Sequence, residues 1–168
     1  MSALEHFRRD KDDFFKNDFQ SPLDREQKHE FSGLKYYPEN PFLRLELRLE
    51  KVPTPGPVIL QTSTGEVREY MHIGQIRFNV DGQQATLQVY DDDHGYFLPF
   101  VDATAPEETY GAGRYLEPSS LGGDVLAVDF NLAYSPYCAY NERWSCPLPP
   151  KENRLKVRIE AGEKKFHD

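Results

Sequence analysis

The chain has 168 residues and a formal net charge of −8 at neutral pH, with Lys and Arg nowhere gathered into a run. That length allows a real core, burying roughly 70% of the unfolded chain's surface. The acidic balance argues against nucleic acid as a partner, because a phosphate backbone needs a concentrated basic face. No apolar run approaches the ~18 residues of a membrane helix.

The first residues, Met-Ser-Ala-Leu-Glu-His-Phe-Arg-Arg-Asp-Lys, contain no apolar core of a secretory signal. A cytoplasmic location follows as the expectation, with two free thiols. Residues 2–19 read as a helix. Ser2 and Glu5 fit a capping box, and Leu4, Phe7, Phe14 and Phe15 share one face that Lys11 interrupts. Ser21-Pro22-Leu23-Asp24 suggests a second helix over 22–31, with Ser21 as cap, proline at the first helical position and Gly33 as the stop.

From residue 42 the apolar period changes to two. Leu43, Leu45, Leu47 and Leu49 alternate with charged residues, as in a half-buried strand. Pro53–Pro57 should break it. Further strands are expected at 58–63, 67–73, 76–80, 85–89, 96–101, 125–130 and 155–159. Asp81-Gly82 between alternating runs is a hairpin signal, because both residues tolerate positive φ. Asp91-Asp92-Asp93-His94 reads as a solvated tip, with an oxygen-ligand cation site as the sharper alternative.

These elements predict a mainly β, α+β protein. The expectation is one domain, with a helical segment at 1–41 and an antiparallel β part at 42–168. A barrel-like roll is favoured over a two-sheet sandwich or a flat sheet, with the helices packed outside. Residues 131–153 follow no period. They hold both cysteines, the only tryptophan and four of the prolines. So aromatic a stretch should be an ordered loop and the place of a site.

Gly113-Arg114-Tyr115-Leu116, Asp129-Phe130-Asn131, Cys138-Ala139-Tyr140-Asn141 and Cys146-Pro147-Leu148-Pro149-Pro150 are long and odd in composition. With Arg9, Lys11, Asp12, Ser21-Pro22-Leu23, Gly33-Leu34 and Ala161-Gly162-Glu163-Lys164, they resemble a widespread prokaryotic family, the domain of unknown function numbered 1684. The resemblance runs over almost the whole chain and implies a shared fold and a shared site, and it leaves the reaction and any cofactor unspecified. The chain departs from the family pattern at Ala105, Pro106 and Ser135. A proline at 106 offers no backbone amide to a ligand.

Asp102, Glu108, Arg114 and Asp129 are the charged residues of the region. Read functionally, Arg114 would hold an anionic group in a bidentate fork, and Glu108 or Asp129 would be a general base raised by burial. Read structurally, they form a buried ion-pair network that fixes loops. Tyr110, Tyr115, Tyr134, Tyr137, Tyr140 and Trp144 either line an apolar pocket or pack a small core under the loop. Asn131 and Asn141 would add hydrogen bonds. Cys138 and Cys146, seven residues apart, read as packing residues, a redox pair, or metal ligands with His72. The best expectation is a small polar or anionic ligand held between the 102–115 and 129–153 loops, with Asp102, Glu108, Tyr110, Arg114, Tyr115, Asp129, Asn131, Tyr134, Cys138, Tyr140, Asn141 and Cys146 around it. An enzyme at the same site and a structural or protein-interaction module are the alternatives.

Overall fold

The computed structural model describes residues 1–167. Helix α1 spans Ala3–Asn17, with the Ser2 hydroxyl accepting from the Glu5 amide. Helix α2 is shorter than the sequence suggests, Arg25–Glu30. Asp24, not Ser21, caps it, in a box with Gln27. The Ser21 hydroxyl instead donates to Phe15 O and accepts from the Leu23 amide, so it shapes the turn before the helix.

Eight strands follow: β1 Arg44–Arg48, β2 Glu50–Gln61, β3 Val67–Val80, β4 Gln83–Asp91, β5 Tyr96–Phe100, β6 Arg114–Leu116, β7 Ser119–Gly122 and β8 Val125–Asp129. They form two antiparallel sheets, ordered β1-β8-β7 and β2-β3-β4-β5-β6. The arrangement is a sandwich-like α+β fold; the barrel-like roll is corrected, because the two sheets do not pair into a closed cylinder. The chain changes sheet at Leu49, between β1 and β2. The neighbouring strand leaves no room there: a Cβ on Gly74 would lie 2.4 Å from Glu50 O.

The proline run at 53–57 does not end a strand. It lies within β2, an edge strand whose outer side needs no amide donors, and the register slips between Lys51 and Gly56. The runs 67–73 and 76–80 are one strand, β3, bent by a second slip between His72 and Gly74. Asp81 and Gly82 both have positive φ, the turn expected of them. The tip at 91–95 closes on itself, the Asp93 and His94 amides bonding Asp91 and Asp92 carboxylates.

Residues 155–159 alternate in burial but form no strand. They belong to a strap that crosses from the large sheet toward α1. Its Asn153 fills the gap where β4 and β5 diverge, donating to Gln88 O and Pro99 O and accepting from the Gln88 amide. Val101 then exchanges backbone bonds with Asn153 and Leu155. Val157, Ile159 and Ala161 of the strap join Ile76, Leu87, Phe100, Leu126 and Phe130 in the main core between the sheets. Two smaller cores flank it. One gathers Tyr70, Phe97, Tyr115 and Cys146 under the irregular loop; the other packs Phe15, Leu23, Phe31 and Tyr140 beneath the helices.

Candidate functional site

Arg114 is 1% exposed. Its guanidinium donates to the carbonyls of Ile159 (2.9 Å), Glu163 (3.1 Å) and Ala161, and to Asp102 Oδ1 (3.3 Å). The other Asp102 oxygen takes the Ile159 amide at 2.6 Å and the Thr104 hydroxyl at 2.8 Å. The pair is therefore a clasp on the strap, and the ligand anchor expected of Arg114 does not face any opening. Burial lowers its pKa and the Asp102 carboxylate opposes that, so the charge is held where water cannot reach.

Asp129 and Asn131 also serve the backbone. Asp129 caps the short turn at 130–132 and accepts from Asn131. Asn131 copies a peptide group, accepting from the Asn40 amide at 2.8 Å and donating to Asn40 O at 2.9 Å. Glu108 is not a buried base. Its carboxylate is solvent-facing, and the Tyr37 hydroxyl (2.6 Å) and Arg158 (2.7 Å) hold its pKa below the ordinary value. Asn141 lies against Gln27 of α2 and caps the turn at Arg143.

The second charged cluster was not legible in the sequence. Glu163, 1% exposed, pairs with Lys11 of α1 and accepts the Tyr140 hydroxyl. Lys11 lies over the Tyr134 ring at 4.9 Å and the Phe15 ring at 5.6 Å. What looked like an interruption of the helix's apolar face is the residue that docks it. Beside it, Arg8 stacks on the Tyr36 ring at 4.3 Å.

Beside these contacts lies a cleft of about 650 Å³. One wall is α1, through Phe7, Lys11 and Phe14; the other is the irregular loop, through Tyr134, Tyr137 and Trp144. Arg68 of β3 stands at the end of the cleft and donates to Ser145 O at 2.7 Å. Tyr115 and Cys146 form part of its floor. This cleft is not the space between the 102–115 and 129–153 loops where a ligand was expected. Between Pro106, Tyr110 and Ala139 there is only a recess of about 250 Å³. Ala105-Pro106 is a cis peptide bond.

Under the loop the two cysteines are free and adjacent. The Cys138 amide donates to Cys146 Sγ at 3.3 Å, and the Tyr110 hydroxyl lies 3.6 Å from Cys138 Sγ. His72 bonds Gln88 instead, at 2.7 Å. Among the described residues no three of His, Cys, Asp and Glu gather as metal ligands would.

The sequence signature described as "Protein of unknown function (DUF1684)" matches residues 29–164. The chain belongs to this family. An uncharacterised protein of Haloarcula marismortui, solved in solution by NMR, is 39% identical, over 96% of this chain and 91% of that one, with a TM-score of 0.72. No curated protein matches. The matched span takes in the Arg114 clasp, Glu163 and both cysteines, whereas α1 and its wall of the cleft lie before it. No helix among the described residues is long and apolar enough to cross a membrane.

Proposed function

We propose that this member of the family binds a small ring-bearing molecule with one anionic end in the cleft between α1 and the irregular loop. The volume of that cleft carries the reading, since ligand sites of this kind span about 300–1,000 Å³ and are walled mainly by apolar and aromatic groups. Phe14, Tyr134, Tyr137 and Trp144 offer ring faces and edges for stacking. Arg68 supplies the charge, an exposed guanidinium that lines the cleft and donates to Ser145 O at 2.7 Å. Lys11 contributes less, being already paired with Glu163. The unbridged thiols fit a reducing cytoplasm as the working compartment.

Naphthoate is a suitable probe, combining a fused ring with a carboxylate. Titrated into isotope-labelled protein, it should shift the Trp144 indole signal saturably, with Kd of ~0.1 mM, and Arg68→Ala should weaken it about tenfold, ~1.4 kcal/mol. Shifts that stay linear in concentration, or an affinity indifferent to both Arg68→Ala and Phe14→Ala, would remove the cleft as a ligand site.

A further inference from the structure

The irregular loop carries a second chemical feature that ligand binding does not use. Cys138 and Cys146 meet across a turn of seven residues: the Cys138 amide donates to Cys146 Sγ at 3.3 Å, and the Tyr110 hydroxyl lies 3.6 Å from Cys138 Sγ. Ser63 pins the second cysteine, accepting from the Cys146 amide at 3.1 Å, giving its own amide to Cys146 O at 2.9 Å and its hydroxyl proton to Trp144 O at 3.2 Å. Cys138 is half-buried, and Cys146 borders the open cleft. A packing pair of cysteines requires none of this. Small buried thiols in a core are usually surrounded by apolar atoms and are inert.

We infer that Cys138 and Cys146 form a redox-active dithiol in which Cys138 is the sulfur attacked by a hydroperoxide and Cys146 the one that closes the disulfide. The Cys138 thiolate displaces at one peroxide oxygen. The S–O bond forms, the O–O bond breaks, and the leaving oxygen departs as water after taking a proton. Cys138 is then a sulfenic acid. Cys146 attacks that sulfur, the S–S bond forms, the S–O bond breaks, and a second water leaves with the Cys146 proton. Two thiols are oxidised by two electrons and one peroxide is reduced to two waters, or to water and an alcohol.

The ionisation of the pair agrees with this order. Interaction with the Cys146 thiol and the Tyr110 hydroxyl draws the Cys138 thiol down to about 6, against desolvation that raises it. The same interaction between the cysteines, with burial, pushes Cys146 up, so it remains the proton donor while Cys138 is charged. Once Cys138 carries oxygen its negative charge is gone, and Cys146 is freed to lose its proton and attack. Tyr110 is held protonated by burial and by the neighbouring sulfur, so it stays a donor throughout.

The test uses the intact, reduced protein. It is treated with hydrogen peroxide at neutral pH, alkylated, and read by intact mass and peptide mapping. The native protein should lose two hydrogen atoms in mass as a Cys138–Cys146 bridge, at least about tenfold faster than the same protein unfolded in urea. Cys146→Ser should stop at a Cys138 sulfenic acid that dimedone captures, and Cys138→Ser should leave Cys146 as a thiol. Oxidation no faster in the native state than in urea would overturn the proposal, and so would dimedone on Cys146 in place of Cys138. Neither reading depends on an occupied cleft. The native-against-unfolded comparison needs no variant.

Discussion

Arg114 offers its guanidinium to three carbonyls of one strap and to the Asp102 carboxylate, and it has no contact with solvent. Replacing it by Met would leave Asp102 charged, buried and short of its partner. The expected loss is about 3–5 kcal/mol of stability, read from the urea midpoint. A loss under about 1 kcal/mol would mean that Asp102 reaches water in the variant. The sequence could show that these charges sat among glycines and aromatics, and so were partly desolvated. It could not show direction, because a guanidinium that faces a ligand and one that faces three carbonyls need the same residue. Lys11 was harder still. A lysine on an apolar helix face looks like a break in the pattern until the glutamate that neutralises it is known, and Glu163 lies 152 positions away.

At the scale of elements, α1 does two jobs with two faces. Phe15 is 1% exposed and packs edge-on to Tyr140 at 5.0 Å, whereas Phe7 is 44% exposed and lines the cleft. Phe15→Ala should therefore cost about 3–5 kcal/mol of stability. Phe7→Ala should change stability by less than ~0.5 kcal/mol and yet weaken naphthoate binding. Thermal or urea melts of both variants, set beside a naphthoate titration of Phe7→Ala, check the division. Strands with long alternation were readable: β4 appears where Ala85, Leu87 and Val89 predicted it, and the Asp81-Gly82 turn fixes its start. The strap was misread because alternation reports which side is buried, not whether a neighbour strand exists. Val157 and Ile159 are buried as predicted, but the Val157 carbonyl is taken by Ala103, the Ile159 amide by Asp102 and the Ile159 carbonyl by Arg114. β6 and β7, three and four residues long, are too short to carry a period at all.

Across the whole molecule the tyrosines dominate the response to alkali. Burial raises Tyr36, Tyr115, Tyr134 and Tyr140 above the ordinary phenol, and Tyr90 to about 12. An unfolded chain loses these protons near pH ~10, while the native chain keeps them. Above that pH the native state binds more protons than the unfolded one, so stability falls as pH rises, and below it the contribution is fully present. Urea midpoints should drop steeply above about pH 9.5, with phenolate absorbance appearing only as the chain unfolds. Absorbance that rises first, in a chain still folded, would show that these hydroxyls are open to water. The sandwich itself was one of the architectures that strand count and edge protection allowed. The close approach of Gly74 to Glu50 O, where the chain passes from one sheet to the other, is not announced by either residue in sequence.

The Lys11–Glu163 pair also sets a timetable. A ribosome delivers Lys11 first and Glu163 152 residues later. At ordinary rates of synthesis that gap lasts roughly 8–30 s. During it the ammonium lacks the Glu163 carboxylate, and for most of it Phe15 has no Tyr140 to rest on. Helix α1 is therefore made well before it can be seated, and in the interval its aromatic side is offered to whatever waits at the exit tunnel.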